Sequence, residues 1–164
     1  MKIETTPIAS DVFMKLEEFL ITGKLPEHRI VDAILTHHLI PLNDCRRELG
    51  FPIIISKHSG FRPTEWDVER GRTGNGSHTF GTGNGFSNPA INKGACDVTT
   101  SKENMPELFV RLARGPWTRI AYYPKHNFFH IDYMNTTGKS FHTAMFKQTT
   151  FEVIYEQVKK NAAS

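Results

Sequence analysis

The sequence predicts an α+β fold, with N-terminal helices packed on a mainly antiparallel central sheet and a long glycine-rich loop between the two parts. Three observations lead there. Helix-spaced apolar residues crowd the stretch before Gly50, and β-branched and aromatic strand-like runs dominate after Gly94. Between them, from Gly60 to Lys93, nothing is periodic, and Gly, Asn, Thr and Ser prevail. A structureless stretch of that length inside a compact domain usually serves a function.

The elements follow in order. Ser10 can cap a first helix carrying Val12, Phe13, Leu16, Phe19 and Leu20 on one stripe, stopped by Gly23 and Pro26. A second helix begins near Glu27, with Ile30, Val31, Ile34 and Leu35 inward, and a third runs from about Pro41 to Leu49 before Gly50 ends it. "FPIIIS" reads as a short buried strand, and "ACDVTT" as another. The fourth helix takes Pro106 in its first turn, buries Leu108, Phe109 and Leu112, and stops at Gly115-Pro116. "RIAYYP" and "FFHIDYM" are aromatic strands, and "NTTG" is a hairpin-like turn from which "KSFHTAMF" returns as a third. Thr149 and Glu152 form a capping box for a last helix with Phe151, Ile154, Tyr155 and Val158. The chain, 1–164, is one domain without repeats.

Composition narrows the class. Hydrophobic residues make up 38% and charged residues 23%, which suits a globular chain rather than a disordered one. Twenty Lys+Arg against 17 Asp+Glu leave a scattered net charge of +3, too mild to argue for nucleic acid. Cys45 and Cys96 form no CxxC pair and read as buried small apolar residues. "MKIETTPIASDVF" lacks the order of a signal peptide, and no apolar run reaches the roughly 18 residues a membrane span needs. The expectation is a chain made in a cytoplasm without membrane insertion.

Three residues stand out among the polar ones. In "FFHIDYM", Phe128, His130 and Asp132 share one strand face, with His130 and Asp132 roughly 6.6 Å apart along it, close without touching. A polar pair of this kind can also simply face solvent. Asp97, between Cys96 and Val98, is costly to bury unless it meets a cation or strong donors. His78 ends "GNGS" in the glycine-rich loop. Two imidazoles and a carboxylate are the ligand set of a catalytic zinc, which keeps one position for water. Such a metal brings that water's pKa toward neutrality and polarises a carbonyl. Arg62, in "SGFRP" just after the buried strand, is the candidate cation, and its guanidinium fork matches a carboxylate or a developing oxyanion.

The motifs "HSGFRP", "GSHTF", "GACDV" and "YYPKHNFFHID", in that order, resemble the zinc D-Ala-D-Ala carboxypeptidase family of peptidoglycan peptidases, over about residues 41 to 134. The resemblance implies His78, Asp97 and His130 as ligands of a Zn2+ ion, Arg62 as the group that binds substrate carboxylate or oxyanion, and Ser77 as a substrate contact. It places the glycine-rich loop at the active site. Two departures go with it. Asp97 follows His78 by nineteen positions, where the family keeps the two much closer, so "GTGNGFSNPAIN" reads as an inserted loop. Loop closure costs little more as a loop lengthens, and Gly85, at the family's usual distance, cannot ligate. Relatives also carry a histidine or an acid just before the last ligand, where this chain has Phe128 and Asn127. Asp132 and His126 are the two alternatives for the proton acceptor.

The expected activity is that of a metallopeptidase, a hydrolase cutting a peptidoglycan stem peptide as a carboxypeptidase or endopeptidase. It would act as a monomer, much like a bacteriophage endolysin in cell wall degradation. Such an enzyme accumulates in the host cytoplasm and reaches the bacterial wall after release. The alternative is a non-catalytic virion or wall-binding protein that retains the fold.

Overall fold

The computed structural model describes residues 14–21, 24–83 and 89–164. It bears out the α+β class: helices and a six-stranded, mostly antiparallel open sheet in the order β1-β2-β4-β3-β5-β6. The strands are β1 (Ile54–Ile55), β2 (Ala95–Thr99), β3 (Arg119–Tyr123), β4 (Phe128–Asp132), β5 (Ser140–His142) and β6 (Gln148–Thr149). The helices are α1 (His28–Ile34), α2 (Ile40–Leu49), α3 (Thr64–Glu69), α4 (Met105–Ala113) and α5 (Phe151–Ala163).

Strand alternation gives the sheet two different faces. Cys96, Val98, Ile120, Tyr122, Phe129 and Ile131 point to one side and are wholly buried. There Phe109 of α4 stacks on Phe129 at 5.4 Å and on Phe151 of α5 at 4.9 Å. Asp97, Ala121, His130 and Asp132 point to the other side, where Asp97, His130 and Ala121 occupy consecutive places in one cross-strand row. This row is buried too, under loops rather than helices.

The early helices differ from the sequence reading. Ser10, Val12, Phe13 and Gly23 lie outside the described residues, and what is described of the first helix is one 3-10 turn, Leu16–Phe19, with Phe19 buried. The second and third helices form one run, joined by a π-helical turn at Leu35–Leu39. Pro41 explains the irregular turn: it has no N–H to give the His37 carbonyl. That carbonyl instead accepts a 2.6 Å hydrogen bond from the Tyr133 hydroxyl. Leu35 faces outward rather than inward.

Other differences have equally local reasons. "FPIIIS" supplies an edge strand that pairs only with β2, so Ile53 and Ile55 are buried while Ile54 is 53% exposed. α3 lies inside the stretch without periodicity; Pro63 at its N-cap and Glu65 in its first turn are the signals that mark it. "KSFHTAMF" does not return against β4. Both edges of β4 are taken, by β2 and β3, so the chain passes on and β5 pairs with β3 in parallel. Thr149 is held in β6, and the cap of α5 is Thr150, whose hydroxyl accepts from the Val153 amide. Both cysteines are free and buried. Among the described residues, no helix is long and apolar enough to cross a membrane.

Candidate metal centre

The sheet register brings Asp97 and His130 face to face. They are direct cross-strand partners on β2 and β4, which puts their Cβ atoms about 5 Å apart. His78 arrives from above, on a 3-10 turn at Ser77–Thr79. One short segment, Ser59-Gly60-Phe61-Arg62, ties these parts together. The Ser59 carbonyl accepts from the Asp97 amide at 2.8 Å, the Gly60 carbonyl accepts from His78 Nδ1 at 2.9 Å, and the Arg62 amide donates to the His78 carbonyl at 2.8 Å. Gly60 is required for this: a Cβ there would sit 2.6 Å from the Phe19 Cα and 2.7 Å from its carbonyl oxygen.

Three atoms converge at the centre. His130 Nδ1 lies 3.0 Å from Asp97 Oδ1, His78 Nε2 lies 3.2 Å from His130 Nδ1, and His78 Nε2 lies 3.3 Å from Asp97 Oδ1. Bonds of 2.0–2.1 Å at tetrahedral angles put two zinc ligands about 3.3 Å apart, so this triangle matches one face of a zinc tetrahedron. The far side of each ring fixes its tautomer. His78 Nδ1–H donates to the Gly60 carbonyl, and His130 Nε2–H donates to Asp132 Oδ2 at 2.7 Å. His78 Nε2 thus offers a lone pair toward the Asp97 oxygen, while His130, protonated on both nitrogens without a metal, donates from Nδ1 to Asp97 Oδ1; a cation that replaced this proton would meet three ligand atoms. This buried His-Asp-His group could hold a metal ion.

The protonation balance follows from the same contacts. Burial works against charge on His130, but hydrogen bonds and charge from Asp132 and Asp97 outweigh it and raise its pKa to about 9. Burial lowers His78, only partly opposed by Asp97. Burial would raise Asp97, yet the two histidines beside it hold it far below the usual carboxylate range.

The structure brings four of the seven sequence-predicted residues to the centre itself. Besides the three ligand candidates, Arg62 is there, largely buried, with Nη2 3.7 Å from Asp97 Oδ2 and Nε donating to the His58 carbonyl. The other three stand elsewhere. Asp132 touches His130, but on the ring nitrogen that faces away from Asp97 and His78. It is wholly buried, and its oxygens accept from Arg119 Nε at 3.0 Å and from the Met134 amide at 3.0 Å. Burial would raise its pKa, but His130 and Arg119 hold it well below the carboxylate range. Asp132 braces the His130 ring from behind and does not face the side where His78 and Asp97 converge. His126 is exposed in the turn between β3 and β4, away from mid-strand His130. Ser77 turns its hydroxyl to the same back nitrogen of His130, at 3.4 Å, and not outward as a substrate contact would be.

Sequence reasoning missed Arg119 and Phe146. Arg119 faces Asp132 only through the β3–β4 register. Phe146 sets its ring edge-on to His130 at 5.1 Å and lies over the Arg119 guanidinium at 4.0 Å. It follows Met145, and both are in the left-handed region, with φ of 56° and 63°, a conformation that costs bulky residues about 1 kcal/mol or more each. Phe80 is wholly buried core, while Trp66 is half-buried beside Arg62. The glycine-rich loop is described only at its ends, where Ser77–Thr79 and Pro89–Lys93 form 3-10 turns; its middle, 84–88, lies outside the described residues.

No family model matches the chain, and no curated protein or solved structure does either. The functional reading therefore stands on the geometry and on the motifs.

Proposed function

We propose that the protein is a zinc-dependent peptidase that hydrolyses a bond in a peptidoglycan stem peptide, as a D-Ala-D-Ala carboxypeptidase or an endolysin-type endopeptidase. The observation that carries this reading is the triangle of donor atoms of His78, Asp97 and His130, 3.0–3.3 Å on each side, joined to Arg62 by the Ser59–Arg62 segment. His78 Nε2, His130 Nδ1 and Asp97 Oδ1 would hold the metal. Bound there, zinc would supply a water of lowered pKa and polarise the scissile carbonyl. The chain does the rest. Arg62 offers a guanidinium beside Asp97 for a substrate carboxylate or a developing oxyanion. Asp132, itself held by Arg119, keeps His130 in the tautomer that ligates. Phe146 walls one side of the His130 ring and keeps water from it.

A second reading, a wall-binding or virion protein that keeps the site without turnover, is favoured by one observation. Among the described residues, the carboxylate or imidazole hydrogen-bonded to the three ligand candidates, other than themselves, is Asp132, and it lies behind the ring. Digestion of defined muropeptides with and without a chelator, with products identified by mass, separates the readings. The peptidase reading expects new peptide fragments that vanish with the chelator and with His78→Ala. Intact muropeptides from a zinc-loaded, folded protein would leave the binding reading.

A further inference from the structure

The strongest feature outside the metal centre is a group of arginines around Trp66 of α3. Arg70, one helical turn after Trp66, lays its guanidinium carbon 3.6 Å from the indole centroid and donates from Nη1 to the Trp66 carbonyl at 3.0 Å. Gly71, at φ 74°, then turns the chain back, with the Arg72 amide donating to the Asp67 carbonyl. That turn returns the Arg72 guanidinium carbon to 5.4 Å from the same ring. The Arg62 guanidinium carbon lies 6.0 Å from it. Three guanidinium groups thus surround one half-buried indole, with the exposed His58 ring edge-on at 5.7 Å.

The acids nearby offset this charge only in part, most of all at Arg72, which is ion-paired with Asp67. Asp67 accepts one 3.2 Å bond from Arg72 Nη1 and is buried, and Glu69 stays 3.9 Å from Arg70 with its side chain largely in water. Arg70 and Arg72 keep 46% and 48% of their side chains exposed. Stacking on the indole fixes the forks in place before any ligand arrives, so less ordering is lost on binding. Arg62 links this group to the metal centre, because it touches both Trp66 and Asp97. The indole and Asp97 are therefore within about 11 Å, the span of about three extended residues.

We propose that Trp66, Arg70 and Arg72 form a second anion-binding subsite, which takes a side-chain carboxylate of a peptide whose terminal group is held at Arg62. This rests on the peptidase reading for its second ligand point, and it defines the substrate class: a peptide with an acidic residue about three positions from the reacting end. A neutral peptide of the same length would bind at one end only.

Tryptophan fluorescence tests it directly, because Trp117 is wholly buried and Trp66 is not. The zinc-loaded full chain is titrated with two synthetic peptides ending in D-Ala, identical except for glutamate or glutamine three residues before the terminus. The glutamate peptide should change the Trp66 signal and bind about tenfold more tightly, as a charged hydrogen-bonded pair implies. Arg70→Gln with Arg72→Gln should bring both peptides to the affinity of the glutamine peptide, with zinc content unchanged. Arg72 also supports buried Asp67, so Arg70→Gln alone, on an exposed side chain, is the second variant and should narrow the preference. Equal binding of the two peptides by the parent, or a preference that survives in both variants, overturns the subsite. A glutamate preference without cleavage would sustain the subsite and sink the peptidase reading; cleavage without the preference would do the reverse.

Discussion

Asp132→Asn is the most informative single substitution, because the two roles that a carboxylate at this position can play predict opposite results. The carboxylate accepts from His130 Nε2 at 2.7 Å, from Arg119 Nε at 3.0 Å and from the Met134 amide at 3.0 Å. Asparagine keeps the shape but has one acceptor oxygen. If that oxygen serves Met134, the amide NH2 faces donors on His130 or Arg119. Breaking a buried pair this way costs about 3 kcal/mol, the low end of the range because Arg119 is partly exposed. Losing the partner that orients a ligand histidine weakens metal binding by about 10- to 100-fold. Competition against a chromophoric chelator gives the zinc affinity, and urea unfolding of the metal-free chain gives the stability. Zinc affinity within twofold of the parent, together with the full stability loss, would refute Asp132 as the orienting partner. Unchanged affinity with hydrolysis abolished would go further and restore Asp132 as proton acceptor.

Two pH effects follow from the buried histidines. In the metal-free chain His130 keeps its proton up to about pH 9 while Asp97 is ionised, so metal binding must displace that proton. Apparent zinc affinity should rise about tenfold per pH unit between pH 6 and 8; a flat profile by the same chelator competition would count against His130 as ligand. His38 has the opposite balance. Wholly buried, it accepts from Trp117 Nε1 on Nδ1 and donates from Nε2 to the Lys93 carbonyl, and burial pushes its pKa down to about 3. Its folded pKa lies below the unfolded value of about 6.5, so its contribution is intact above pH 6.5 and is lost as pH falls toward 3. His38→Gln should make stability less acid-sensitive by about 2 kcal/mol between pH 8 and pH 5, read as the difference between the urea-unfolding curves of parent and variant. An unchanged difference would show that His38 titrates normally.

Much of the centre was legible because strand alternation is a strict rule. It put His130 and Asp132 on one face, and the cost of burying Asp97 pointed to a cation. What alternation could not show is contact: the imidazole reaches along the strand and turns a spacing of roughly 6.6 Å into a 2.7 Å hydrogen bond. That is why the sequence offered Asp132 beside His126 as a proton acceptor and did not show its contact with the His130 ring. Arg119 was hidden for a different reason, since its link to Asp132 depends on the β3–β4 register, which no local pattern states. The parallel β5 was equally invisible, because it follows from which edges of β4 were already paired. Pro41 read as a helix start, though a π turn and the Tyr133 hydroxyl let the helix run through it.

His130 sits on β4, a strand enclosed by β2 and β3, while Asp97 and His78 arrive from β2 and from a turn far away in the chain. The three donors meet only once those strands have docked, so an ion held by all three would recognise the finished fold. Metal supply would then act as a thermostat on survival: above the dissociation constant, every tenfold rise in free zinc adds about 1.4 kcal/mol against unfolding and proteolysis.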